Sequence, residues 1–257
     1  MKKWLMQIGC IFLLCLFCII PVSEVNAASG QEIRILFVGN SLTKKNKSYR
    51  MFKELAKAGE HDITVKKLCV NGSSLKRWAN RHTVPGKKLY KALTHQNWDY
   101  VILQDKSTMV LDHPEMFQKS IKKLTKLISD NGSELVLNMT WAHQYGADVY
   151  DEYDSLTKRK FQKKLAAMYL QTGEKYGALV AKTGMAFWNC EQQNENIRLY
   201  VDERHPSKAG SYLSACTLYA TIFQENIPEK DLQLKAEVAE KLRKIAEDVT
   251  FTDMGEF

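Results

Sequence analysis

The chain has 257 residues, 45% of them hydrophobic, and its 37 Lys and Arg against 29 Asp and Glu give a formal net charge of +8. This length and apolar share suffice for one substantial core and argue for one domain rather than two. The basic excess comes with no nucleic-acid-binding motif, which argues against nucleic acid as a partner and leaves an anionic surface, such as a cell wall or an acidic glycan, as the natural contact.

Residues 1–27, "MKKWLMQIGCIFLLCLFCIIPVSEVNA", join two lysines, a long apolar run and a short polar stretch ending in a small residue. They read as a secretory signal peptide cut after Ala27, so that residues 28–257 form the single domain of a secreted protein. The rival reading is an uncleaved anchor, because the apolar run over residues 4–22 approaches the roughly 20 residues that span a bilayer. Ala27 and its polar flank favour cleavage, so membrane contact, and with it cell-surface attachment, is expected only if the segment is retained. Removing Lys2, Lys3 and Glu24 leaves 35 basic and 28 acidic residues, a net charge of +7. Cys10, Cys15 and Cys18 go with the signal. The odd remainder, Cys69, Cys190 and Cys216, allows at most one bridge and speaks against a disulfide framework.

Residues 33–39, "IRILFVG", form a continuous apolar run ending in glycine, the pattern of a strand buried on both faces of a parallel sheet. Tyr49, Phe52, Leu55 and Ala56 follow at helical spacing, with Gly59 as the stop. "DITVKKLCV" (62–70) alternates as a strand and meets the turn signal "NGSSL". "WDYVILQ" (98–104) is a strand, "EMFQKSIKKLTKLISDNG" a helix with a glycine stop, and "SELVLNMTWA" (133–142) another strand. A helix over about residues 156–176 leads to "GALVA", the last strand. This alternation predicts a three-layer α/β/α sandwich around a central parallel sheet of about five strands. "EKDLQLKAEVAEKLRKIAEDVTF" reads as a surface helix closing the domain.

In open parallel sheets the chemistry gathers at the carboxyl ends of the strands. The segments there are "GNSLT" (39–43), "NGSS" (71–74), "QDKS" (104–107) and "WAHQYG" (141–146), with "DERHP" late in the chain. Ser41 stands two residues after Gly39, where a hydroxyl can rise above the sheet and a backbone N–H can face an oxyanion. On Ser41 alone the simpler reading is an N-cap. His205 supplies the base that such a serine needs. Asp202, three residues earlier on a turn, can reach the other ring nitrogen and hold the tautomer that leaves the working nitrogen open. A loop aspartate capping the next helix would explain Asp202 but not the histidine. Pro206 suits the first position of that helix.

In "LDHPE", His113 lies between Asp112 and Pro114, too close for the same bond, so His205 ranks above it. His61, His82 and His95 lack comparable partners, while His143, in a post-strand loop, is a weaker candidate to line a substrate pocket. Lys44, Lys45 and Lys47 fall in a loop, and Lys119, Lys122, Lys123 and Lys126 on the polar side of a helix; both sets read as solvated charge. No histidine or carboxylate pair has zinc-motif spacing, the cysteines are not paired at short spacing, and "GNSLTKKNK" lacks repeated glycines, so no metal and no cofactor is implied.

Together, "GNSLT", the glycine after the second strand and "DERHPSKAG" with the following "GSYLSACTLYATIF" resemble the SGNH (GDSL-type) hydrolase superfamily, in its bacterial branch with a GNS first block. The likeness spans about residues 33–223. It implies the flavodoxin-like SGNH fold, with Ser41 as nucleophile, His205 as base and Asp202 as its orienting acid. It also implies an oxyanion hole built from the backbone N–H groups of Ser41 and Gly72. The family's third block offers an asparagine in G-x-N-D where this chain has "LQDKS"; Gln104 is the candidate third donor, with Ser107 behind it.

The activity implied is that of a secreted serine esterase acting on a small-molecule or carbohydrate ester, with acetyl the candidate acyl group. Trp78, Trp141 and Tyr145 suit a sugar-binding rim and a core equally, and Trp141 with His143 is the weak substrate-binding pair. Two alternatives stand beside this: a non-catalytic glycan- or cell-wall-binding module of the same fold, and an O-acyltransferase that passes the acyl group to a sugar hydroxyl.

Overall fold

The computed structural model describes residues 32–193 and 196–252, so the signal read over residues 1–27 lies outside the described residues. Strand β1 (Ile33–Gly39) runs into the short helix α1 (Ser41–Lys44), one 3₁₀ turn at Lys45–Lys47, and α2 (Ser48–Ala58). Next come β2 (Ile63–Cys69), α3 (Leu75–Ala79), α4 (Val84–His95), β3 (Tyr100–Leu103), α5 (Met109–Asp112) and α6 (Pro114–Asp130). The chain continues through β4 (Glu134–Asn138), α7 (Val149–Glu152), α8 (Lys158–Tyr176), β5 (Leu179–Ala181), α9 (Thr183–Gln192), α10 (Lys208–Phe223) and α11 (Ala236–Phe251).

The five strands are all parallel, in the order β2-β1-β3-β4-β5, with helices on both faces, as the alternating pattern predicts. Because side chains alternate across a strand, a sheet covered on both faces needs apolar residues at successive positions of its inner strands, while the outer strand β2 leaves Lys66 and Lys67 exposed. Ile35, Phe37, Ile102 and Val136 pack with Ala56 of α2, Ala186 of α9 and Leu213 of α10. Leu36, Val38, Val101 and Leu137 pack the other way, with Leu89 of α4, Leu124 of α6 and Leu165 of α8.

Helix α10 is buried all round, from Ala209 to Ile222, and packs against α2, α9, β5 and α11. The last helix supplies its outer cover, with Ala239, Leu242, Ala246 and Val249 on one stripe. Arg243 ties the two helices together, donating from Nη1 to the Tyr212 hydroxyl at 3.1 Å and to Asp231 at 2.9 Å. The C-terminal helix therefore does close the domain. Among the described residues no helix is long and apolar enough to cross a membrane. Cys69 and Cys216 are unbridged thiols.

Three details differ from the sequence reading. The strand expected over residues 133–142 ends at Asn138, whose amide oxygen accepts from the Thr183 hydroxyl at 2.7 Å. Met139 to Ala142 stay buried as loop, with Met139 N–H reaching across to the Ala181 carbonyl at 3.0 Å. Residues 75–95, without an element in the sequence reading, hold α3 and α4. Pro206 does not start α10: Ser207 is the N-cap, its hydroxyl accepting from Gly210 N–H at 3.1 Å, and Pro206 sits one residue earlier in an antiparallel bridge with Tyr200. Gly210 is needed because a Cβ there would lie 2.3 Å from the Leu199 carbonyl oxygen.

Candidate active site

The loops after β1, β2, β3 and β4 meet the Asp202–Pro206 loop at the carboxyl end of the sheet. Asn40, not Ser41, caps α1: its Oδ1 accepts from Leu42 N–H at 3.0 Å, and its Nδ2 donates to the Ser73 carbonyl at 3.1 Å. The capping alternative for Ser41 is corrected by this geometry. Ser41 takes the first helical position, and its hydroxyl stands 2.9 Å from Nε2 of His205.

Asp202 forms an Asx-type turn around the histidine. Its Oδ1 accepts the backbone N–H groups of His205 at 2.7 Å and Arg204 at 3.0 Å, and its Oδ2 lies 2.8 Å from His205 Nδ1. Burial alone would raise the carboxyl, but the two backbone donors and the imidazole outweigh it and bring it down to about 2. An ionised Asp202 is an acceptor only, so Nδ1 carries the proton and Nε2 presents its lone pair to Ser41.

The loop that carries the histidine is braced from several sides. Val201 N–H donates to the His205 carbonyl at 3.0 Å, and Gln144 N–H to the Glu203 carbonyl at 2.7 Å. Trp141 Nε1 donates to the Arg204 carbonyl at 2.9 Å.

A cavity of about 440 Å³ opens over Ser41 and His205, and Asn71, Gly72, Ser107 and His143 also line it. Gly72 has φ +66°, a left-handed turn that glycine adopts without strain, and this conformation exposes the tip of the loop to the cavity. His143 is there as a neutral ring: burial first, then the charges of Arg204 and His205, lower its pKa to about 4.

Gln104 is a correction. Its amide is only 2% exposed and does not line the cavity. Its Oε1 accepts from Asn40 N–H at 3.2 Å and from the Thr43 hydroxyl at 2.8 Å, while its Nε2 donates to the Asp105 carbonyl. It holds the β1–α1 junction from below. Ser107 is placed differently: it lines the cavity, is 3% exposed, and its hydroxyl has no hydrogen-bond partner among the described residues.

Trp141 is also corrected. It stacks on Phe187 with ring centroids 4.1 Å apart and does not line the cavity, so it supports the histidine loop rather than meeting substrate. Trp78 is buried in the core, Tyr145 is exposed beside Lys158, and His113 lines neither of the two cavities around Ser41.

Two residues of the site escape a reading of the sequence alone. Asn40 carried a signal, since asparagine is a strong N-cap residue standing at a strand-to-helix junction. Asp105 carried none. It is fully buried, and its Oδ1 accepts from Leu75 N–H at 2.9 Å and Lys106 N–H at 2.8 Å, joining the loop after β2 to the loop after β3. Burial raises its carboxyl to about 7, against the opposing pull of those two N–H groups and the Lys106 charge. Among the described residues no group of three His, Cys, Asp or Glu is placed to hold a metal ion.

No family model matches the chain, and a search of curated proteins finds no match. Solved structures do match. A candidate SGNH hydrolase from Slackia heliotrinireducens is 27% identical with a TM-score of 0.64, over 75% of this chain and 100% of its own. A DUF4886 family protein from Bacteroides uniformis is 18% identical with a TM-score of 0.74, over 88% of this chain and 98% of its own. An acetyl xylan esterase is 16% identical with a TM-score of 0.55, over 74% of this chain and 100% of its own. The last two likenesses concern the fold alone. With the five-stranded parallel sheet, the helices on both faces and the structural match to the Slackia protein, the chain belongs to the SGNH (GDSL-type) hydrolase superfamily.

Proposed function

We propose that the protein is an exported serine esterase that hydrolyses an acyl ester, with acetyl the candidate acyl group, on an extracellular carbohydrate. The observation that carries this reading is the run of contacts from Ser41 Oγ to His205 Nε2 at 2.9 Å and from His205 Nδ1 to Asp202 at 2.8 Å, at the floor of one cavity. Export rests on the sequence of residues 1–27. The carbohydrate rests on the structural likeness to an acetyl xylan esterase.

In the mechanism, Ser41 Oγ attacks the ester carbonyl carbon while its proton passes to His205 Nε2. The negative charge on the carbonyl oxygen is met by the N–H groups of Ser41 and Gly72 and by the Ser107 hydroxyl. The C–O bond of the alcohol breaks, and the alcohol leaves with the proton from His205. Water then gives a proton to His205 and attacks the acyl-enzyme; the acid departs and Ser41 recovers its proton. Asp202 stays ionised throughout and stabilises the imidazolium. His143, neutral beside it, adds no competing positive charge.

The test is hydrolysis of p-nitrophenyl acetate, longer-chain esters and acetylated xylan by the wild type beside Ser41→Ala and His205→Ala. Activity present in the wild type and absent from both variants supports the reading. A folded wild type no faster than its variants sinks it and brings forward the glycan-binding module. Product analysis with a glycan acceptor separates hydrolysis from acyl transfer.

A further inference from the structure

A second cavity, of about 690 Å³, opens on the other side of the same serine and shares Ser41, Asn71 and His205 with the first. Its walls carry Lys44, Lys45, Lys47 and Lys208, and the first cavity adds Lys106 and Arg204. Against these six cations the two linings hold one carboxylate, Asp202, whose oxygens are occupied by His205 and by the Arg204 backbone. None of the six makes an ion pair among the described residues. Like charges gathered around a cleft repel one another and focus a positive field into it, which only an anionic occupant offsets.

Solvated loop lysines would need no particular backbone. This loop has one: Asn46 (φ 51°) and Lys47 (φ 58°) are consecutive non-glycine residues in the left-handed region, where L side chains are uncommon. Asn46 pins the turn by donating from Nδ2 to the Pro206 carbonyl at 2.9 Å and to Ser211 Oγ at 2.9 Å. The lysine loop is thereby fastened to the segment that carries His205. Across the groove, Lys208 is fixed not by an acid but by Gln233, through its side-chain oxygen at 2.8 Å and its carbonyl at 3.3 Å, so its charge stays unneutralised.

We infer that the ester taken by this site is borne on an anionic saccharide chain: the acyl group enters the cavity over Ser41 and Gly72, while carboxylates or phosphates next to the esterified hydroxyl lie along Lys44, Lys45 and Lys47. The ester part rests on the esterase reading above; the charge of the carrier rests on the groove alone.

The experiment compares kcat/KM on O-acetylated polygalacturonate with that on acetylated xylan of equal acetyl content, for the wild type and for K44Q/K45Q/K47Q. The wild type favours the anionic polymer by about tenfold or more at low salt, and the ratio falls towards one in the triple variant and at about 0.5 M salt. Using the ratio removes any general loss of folding or turnover. A wild-type ratio of one or below, or a ratio unchanged by the three substitutions, overturns the inference.

Unesterified polygalacturonate and polyphosphate serve as competitors: the stronger names the anion recognised, and inhibition by neither overturns the inference. If no ester shows Ser41-dependent turnover, the esterase reading fails by itself. Calorimetric binding of polygalacturonate to Ser41→Ala protein, with and without the three lysines, still decides the groove. Binding that the lysine substitutions abolish supports it, and absence of binding overturns it.

Discussion

His205 is bound twice to Asp202, through its backbone N–H at 2.7 Å to one carboxylate oxygen and through Nδ1 at 2.8 Å to the other. Asparagine has only one acceptor oxygen. In Asp202→Asn the backbone bond is kept by that oxygen, and the amide NH₂ faces Nδ1, driving the ring proton to Nε2, the nitrogen that must take the proton from Ser41. We expect kcat on a chromogenic ester to fall by about 10³–10⁴-fold with KM little changed. The carboxyl sits at about 2, against 3.8 for an unperturbed aspartate. Its contribution to stability is therefore complete above about pH 4 and is lost as the pH falls towards 2.

Ser107 tests the third oxyanion donor. A buried hydroxyl without a partner costs the folded state roughly 1–3 kcal/mol, so Ser107→Ala is expected to leave thermal stability unchanged or to raise it. On the same protein kcat should drop by about 100-fold, the effect of losing one oxyanion donor. Full activity in a stable variant would remove Ser107 from the mechanism.

Asp105 makes a prediction about pH. Between its unfolded value near 3.8 and its folded value of about 7, the folded chain holds a proton that the unfolded chain has released. Stability must then fall as the pH rises through that window, and at pH 8 the charged carboxylate costs on the order of 4 kcal/mol. Asp105→Asn keeps an acceptor for Leu75 and Lys106 and removes the charge. Urea unfolding should find the variant more stable than wild type at pH 8 and the difference smallest at about pH 3.5; a constant difference would show that Asp105 does not titrate in this window.

Trp141→Phe separates support from substrate contact. Phenylalanine keeps the stack on Phe187 and loses the bond from Nε1 to the Arg204 carbonyl. We expect a fall in kcat of up to about tenfold, the worth of one hydrogen bond, with KM for acetylated xylan unchanged. A raised KM with unchanged kcat would return Trp141 to the substrate.

The inner strands were legible because a sheet covered on both faces leaves little room for polar residues at its buried positions, so "IRILFVG" and "WDYVILQ" announce themselves. The same signal overran the end of β4, since Met139 to Ala142 are buried beyond the last strand residue, and burial, not strand pairing, is what an apolar run reports. Ser41, Asp202 and His205 stood out because each sits at a strand or helix end with residue types suited to one chemistry. Gln104 misled because at a strand end a single residue decides which way a side chain points. Here it turns beneath Gly39, where a Cβ would lie 2.7 Å from its Oε1. The lysine groove was hidden for another reason: Lys44 and Lys208 are neighbours only through the fold, and no local pattern records it.

Ser41 and His205 are 164 residues apart in the chain, and His205 precedes a helix that is buried on every side. The serine lies early in the chain, but α10 has no outer cover unless Ala236–Phe251 has folded onto it. A chain cut before Ala236 is therefore expected to carry the nucleophile without the packed framework that holds its base in reach.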